Sequence, residues 1–179
     1  MKRRLFLQSP LLAAPLGFEA QFLPVDRPVK GFKVEAGKDR FNKSLRPYLF
    51  VKVSGKDTNG DLCIFESITK GSKPGGPPMH VHHHQDEWFY VIEGELKVKI
   101  GEEIFHLKAG DSVFAPRGVP HAPYNMGGDG KGLTLFQPAG SMEDFFEELG
   151  QFKTIPPPEE EFKKLFQKHG MEIVGPRPF

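Results

Sequence analysis

Four of the seven histidines of this 179-residue chain fall within His80-Val81-His82-His83-His84, and Glu87 follows shortly after. Imidazole and carboxylate together suit a divalent first-row metal. In an extended strand residues i and i+2 point to one side, so His80 and His82 can present two rings to the same ion. Glu87 begins the next apolar run after a turn and offers a hard oxygen donor. His121, far along the chain at the start of another β-type run, offers a third imidazole. A solvated turn is the competing reading of the histidine run. An affinity tag is not, because the run is internal and flanked by core-type residues.

The elements that must position these groups are short. The stretch Lys70 to Met79 contains Gly71, Pro74, Gly75, Gly76, Pro77 and Pro78, and reads as a loop feeding a strand. Strands are predicted over Tyr48 to Val53, Asp61 to Thr69, Glu87 to Ile92, Glu95 to Ile100, Glu103 to Leu107, Asp111 to Ala115, His121 to Met126 and Leu133 to Gln137. Glu95-Leu96-Lys97-Val98-Lys99-Ile100 alternates strictly, as a strand with one wet face must. Trp88-Phe89-Tyr90-Val91-Ile92 is apolar on both faces, so a second sheet, a terminal arm or another subunit is expected to cover its outer side. A homodimer is the partner expectation that follows. In the tail, Ser141-Met142-Glu143-Asp144 reads as a capping signal for a helix that stops at Gly150. After Pro156 to Pro158, a second helix over Glu159 to His169 carries Phe162, Leu165 and Phe166 on one face.

Two motifs resemble those of the cupin superfamily. The first is His80-x-His82 with four residues to Glu87 and six more to Gly94. The second is Gly110, five residues, Pro116-x-Gly118, two residues, His121, three residues and Asn125, with fifteen residues between Gly94 and Gly110. The resemblance implies an all-β fold, a double-stranded β-helix or cupin jelly-roll barrel with short C-terminal helices. It also implies one divalent transition metal ion (Mn, Fe, Ni, Co, Cu or Zn) held by His80, His82, Glu87 and His121. Counting from Gly76 instead of Pro74 would nominate His82 and His84. That register leaves only two residues before Glu87, too few for the turn, and makes His84 a reserve ligand. His83 faces away, and His106 and His169 are expected at surface or packing positions.

Four protein ligands leave positions open on a metal that accepts five or six. Residues sharing parity with the ligands, Phe89, Val91, Pro123 and Asn125, are expected to line a cavity, with Phe50, Phe65, Phe114 and Phe136 as further candidates. Such a pocket suits an aromatic or enol-bearing small-molecule substrate. The chain also resembles bacterial single-domain cupins of the quercetin dioxygenase-like kind. That resemblance implies a metal-dependent dioxygenase with Glu87 as catalytic base. The alternatives are a metal-dependent isomerase or decarboxylase, which a cavity-facing Lys52 or Arg117 would favour, and a non-catalytic ligand-binding or metal-storage cupin.

The formal net charge of +1 provides no field for nucleic acid, and no stretch is long and apolar enough to span a membrane. Cys63 is the only cysteine and lies between apolar neighbours, which predicts a buried thiol. Lys2-Arg3-Arg4-Leu5-Phe6-Leu7 resembles a twin-arginine export signal, which would send the protein to the periplasm; the alternative is a cytoplasmic protein with a basic arm on its barrel. The expected organisation is therefore an arm or signal over 1–28, a barrel over 29–140 and a helical extension over 141–179.

Overall fold

Alternation sets the strands. Along Glu95–Ile100, Val98 is fully buried while Glu95 is exposed, and this strand lies in one of two five-stranded antiparallel sheets. In a computed structural model, which describes residues 28, 30–42 and 45–179, the strands are β1 (Leu49–Val53), β2 (Cys63–Ser72), β3 (Met79–His82), β4 (Asp86–Glu93), β5 (Glu95–Ile100), β6 (Glu103–Lys108), β7 (Ser112–Ala115), β8 (His121–Asn125), β9 (Gly128–Gln137) and β10 (Met171–Gly175). The helices are α1 (Met142–Gly150) and α2 (Glu159–Lys168). The twin-arginine-like segment lies outside the described residues.

One sheet has the order β1-β2-β9-β4-β7 and the other β10-β3-β8-β5-β6. Together they form the double-stranded β-helix that the motifs imply. Phe89, Val91, Val98, Leu107 and Ala115 pack between the sheets near β4 and β5. A second cluster joins Leu49 and Val51 of β1, Phe65 and Phe136 to Met142, Phe145, Leu149, Leu165 and Phe166 of the helices and Met171 of β10. β1 and β10 are outer strands of their sheets, and the helices bury their apolar stripes against both. Cys63 is fully buried in this cluster, where burial raises the pKa of its thiol.

The structure adds to the sequence reading at several points. β3 is a separate short strand, and β10 supplies a strand to the carboxy-terminal segment, paired with β3. β9 starts at Gly128, before the expected Leu133, because the glycine-rich stretch pairs with β2 through Thr69↔Gly130 and Ser67↔Gly132. Gly150 is the last residue of α1 and not a stop beyond it. Ser141 stands at the N-cap, but its hydroxyl lies 2.8 Å from Nδ1 of His169 and makes no cap hydrogen bond. The Glu143 carboxylate is likewise drawn away, accepting from Ser54 Oγ at 2.8 Å and from the Gly55 N–H at 2.7 Å. Ahead of β1, Asp39 accepts from the Val51 N–H at 2.8 Å, and the Gly37 N–H donates to Glu66 at 2.9 Å. These bonds hold the strand-free stretch 35–42 on the barrel.

Candidate metal centre and cavity

His80 and His82 share one face of β3, and His80 stands directly opposite His121 on β8. Glu87 comes from β4 of the other sheet, where it pairs with Phe136 and Ala115. The four side chains therefore converge from both sheets. Their ligand atoms all lie within 4.8 Å of one another, and each residue is no more than 5% exposed.

The surroundings orient the rings. The Nδ1–H of His80 donates to the Pro78 carbonyl at 2.9 Å, and that of His121 to the Val119 carbonyl at 3.0 Å. In both cases the Nε2 is left as the ligand atom, the usual outer-shell device for fixing a metal-binding tautomer. His82 turns its Nε2 to within 3.5 Å of Glu87 Oε2, while its Nδ1 is buried with no hydrogen-bond partner among the described residues. The loop before β8 is tied down as well. The Gly118 N–H donates to the His82 carbonyl at 2.8 Å, and the Arg117 guanidinium clasps Asp86 at 2.6 Å, next to Glu87. On the loop before β3, Gly75 and Asn125 exchange backbone hydrogen bonds of 3.0 and 2.9 Å. Gly76 rests so closely on Pro123 that a Cβ there would collide with its carbonyl oxygen.

Burial lowers the pKa of His80 well below the ordinary imidazole value, and the neighbouring His121 and His82 add to the effect. Burial also lowers that of His82, against the pull of Glu87. For His121 burial acts in the same direction, but the hydrogen bond and charge of Glu87 outweigh it and raise the pKa. Two neutral, desolvated imidazoles, a third imidazole and a carboxylate converging within one small volume fit a divalent transition metal.

A cavity of about 630 Å3 opens beside the site and is lined by His80, His82 and Glu87. Phe65, Phe89, Phe136, Val91, Pro123 and Asn125 are on its wall. The sequence reading missed the contribution of the helices: Phe145, Phe146, Phe162 and Phe166 also line it, and Phe166 meets His80 edge-on at a centroid distance of 5.3 Å. The apolar stripes of the tail helices were the available signal, although nothing local says what they face.

Two pocket candidates need correction. Phe50 lies between Leu49 and Val51, both buried inward, so strand alternation turns it to the outer side. Phe114 is 54% exposed because its neighbour Ala115 takes the inward position opposite Glu87. Neither lines the cavity. His84 is exposed and outside the four-residue group, so the structure does not use it as a reserve ligand. Lys52 pairs with Glu66 at 3.3 Å on the outer face and Arg117 pairs with Asp86, so neither enters the cavity. His83 is exposed and lies 3.4 Å from Glu172, His106 is exposed, and His169 is buried between Ser141 and Glu148.

The cupin domain family matches residues 71–136, the stretch that contains all four candidate ligands. The chain carries a cupin domain. Over 101 residues it is 31% identical to quercetin 2,3-dioxygenase of Bacillus subtilis, a match covering 56% of this chain and 29% of that protein. It is 34% identical over 76 residues to 3-hydroxyanthranilate 3,4-dioxygenase of Xanthomonas euvesicatoria, covering 38% of this chain and 43% of the relative. Oxidoreductase OpS7 of Beauveria bassiana is 37% identical over 64 residues, covering 34% and 21%. The chain thus spans less than half the length of each of these three relatives. Among solved structures, an RmlC-like cupin from Shewanella frigidimarina is 30% identical, with 45% of this chain and 68% of that chain covered and a TM-score of 0.39.

Proposed function

We propose that this cupin domain is a metal-dependent dioxygenase acting on an aromatic or enol-bearing small molecule. The observation that carries the reading is the position of the donor set: His80, His82 and Glu87 stand at the wall of an aromatic-lined cavity of about 630 Å3, and His121 converges on the same point. That volume is in the range of small-molecule sites. A bound divalent ion would supply Lewis acidity and open coordination positions.

The chain's own residues do the rest. Phe65, Phe136, Phe146 and Phe166 offer ring faces and edges to a planar substrate and exclude water from the reacting end. Glu87 Oε2, which already faces Nε2 of His121 at 2.9 Å, is placed to accept a proton from a substrate hydroxyl. The dioxygenase names of two of the relatives support the same reaction class. Lys52 and Arg117 do not line the cavity, whose basic lining residues are Arg46, Lys73, Lys131 and Arg177.

Oxygen consumption tests the proposal, using full-length protein loaded separately with manganese, iron, cobalt, nickel, copper and zinc and challenged with flavonols and 3-hydroxyanthranilate. Turnover with at least one metal, lost in Glu87→Gln at retained metal content, is the expected result. Ligand binding without oxygen uptake under any metal would overturn it in favour of a binding protein.

A further inference from the structure

The cavity beside the metal site carries charges of both signs, and the sheet order sorts them. Lys73 follows β2 and Arg177 follows β10, whereas Glu93 ends β4 and Glu95 begins β5. In one sheet β9 lies between β2 and β4, and in the other β3 and β8 lie between β10 and β5. At about 4.8 Å per strand the two signs are therefore separated by roughly 10 Å or more. Arg46, ahead of β1, adds to the cationic side, with its guanidinium 4.8 Å from the Tyr48 ring centroid. Lys131 also lines the cavity but is held by Glu66 at 3.1 Å. Lys73 and Arg177 are exposed and have no hydrogen-bond or ion-pair partner among the described residues.

We infer that the substrate carries a carboxylate, bound at the rim by Lys73 and Arg177, on an arm that extends away from the ring whose hydroxyls face the metal. This rests on the reading of the cavity as the substrate site and adds the acid to it. The loop before β3 fixes where the acid sits. The Met79 N–H donates to the Pro176 carbonyl at 3.1 Å, so Arg177 leaves β10 beside Pro77 and Pro78. Two to three residues separate those prolines from His80, and Lys73 lies farther out. At about 3.3 Å per extended residue, the cationic rim stands roughly 7 to 10 Å beyond the His80 position. The wall changes character in the same direction. Along the inner face of β2 it passes from Phe65 to Ser67 and Thr69, and the facing positions of β9 beyond Thr134 are Gly132 and Gly130, which put no side chain in the way. An apolar ring therefore fits next to the ligands and a polar arm fits above it. A carboxylate attached directly to the chelating ring falls short of the rim, whereas one on a short arm reaches it.

Calorimetric binding to the full-length protein loaded with zinc, which has no redox chemistry of its own, tests this with three probes at low salt. Caffeate is a catechol with its carboxylate on a two-carbon arm, its methyl ester lacks the charge, and protocatechuate carries the carboxylate on the ring. Caffeate should bind about tenfold more tightly than its ester, the combined effect of two exposed ion pairs, and more tightly than protocatechuate. Lys73→Gln and Arg177→Gln together, at exposed positions that the fold tolerates, should abolish the preference for caffeate and leave the affinity of the ester unchanged. Lys70→Gln, which removes a cation paired with Asp129 at 3.0 Å outside the cavity, should keep the preference. Equal binding of caffeate and its ester overturns the inference, as does a preference that survives in the double variant or an absence of binding by all three probes. A lack of oxygen uptake with every metal strikes the dioxygenase reading alone and leaves the acid preference standing.

Discussion

Nε2 of His121 stands 2.9 Å from Oε2 of Glu87, while the opposite ring nitrogen donates to the Val119 carbonyl at 3.0 Å. Metal-free, the ring can donate from both nitrogens and carry a positive charge against the carboxylate. A metal must replace the proton between them. We predict that metal uptake releases a proton and that apparent affinity climbs with pH, by up to about tenfold per unit, until the raised pKa of His121 is passed. Calorimetric titration in buffers of different ionisation enthalpy counts the proton directly, and a pH-independent affinity would contradict the assignment.

The same three rings set the acid response of the metal-free fold. His80 and His82 have lowered pKa values, so below about pH 6.5 the unfolded chain binds protons that the folded chain refuses. Their contribution is present above that pH and is lost as pH falls toward the folded values. His121, whose pKa is raised, contributes in the opposite sense: its stabilisation is present below about pH 6.5 and fades as pH rises through the folded value. Urea unfolding of chelator-treated protein should show stability falling below about pH 6.5, and His80→Ala should flatten that fall.

Removal of a ligand separates the four-residue centre from the rest of the histidine run. His80→Ala or His121→Ala should reduce metal affinity by well over tenfold, since loss of an outer-shell partner alone costs about 10- to 100-fold. His84→Ala, at an exposed position outside the group, should leave it unchanged. Metal analysis after dialysis against a weak chelator reads all three.

Phe166 packs edge-on to His80 and to Phe145 and Phe162, and is 2% exposed. Phe166→Ala should destabilise the fold by about 3–5 kcal/mol, the usual cost of emptying a buried phenyl site. It should also weaken metal binding, because the His80 ring loses a wall. Denaturation with saturating metal and without it distinguishes the two effects. An equal loss in both conditions would leave the ring contact as packing alone.

The ligand set was legible because its logic is local. Two histidines two apart in a strand share a face whatever the sheet does next, and the glycine and proline positions around them mark turns that the backbone requires. Gly94 is one of these: it adopts φ +83°, and a Cβ there would come within 2.7 Å of the Asp129 carbonyl oxygen. Phe50 and Phe114 were misplaced although the information was nearby. Each alternates with smaller apolar residues that take the inward positions, Leu49 and Val51 in one case and Ala115 in the other. Parity relative to a known inward residue decides such cases better than side-chain size. The helical side of the cavity was not legible. Phe146 meets Phe65, and Phe166 meets His80, only after the tail has folded back across the sheets. The Ser141 hydroxyl was likewise claimed by a distant partner, His169, which no local cap pattern reveals.

The barrel strands and the tail helices share the cavity unequally. Every candidate ligand lies between residues 80 and 121, whereas Phe145, Phe146, Phe162 and Phe166 come from the tail. On the proposed function, reactivity and molecular taste would thus be inherited on separate stretches of chain. Exchanges in the tail that keep its buried stripe can reshape what the cavity admits while the ion-binding residues stay untouched, so diversification can proceed at one end of the polypeptide without gambling the chemistry at the centre.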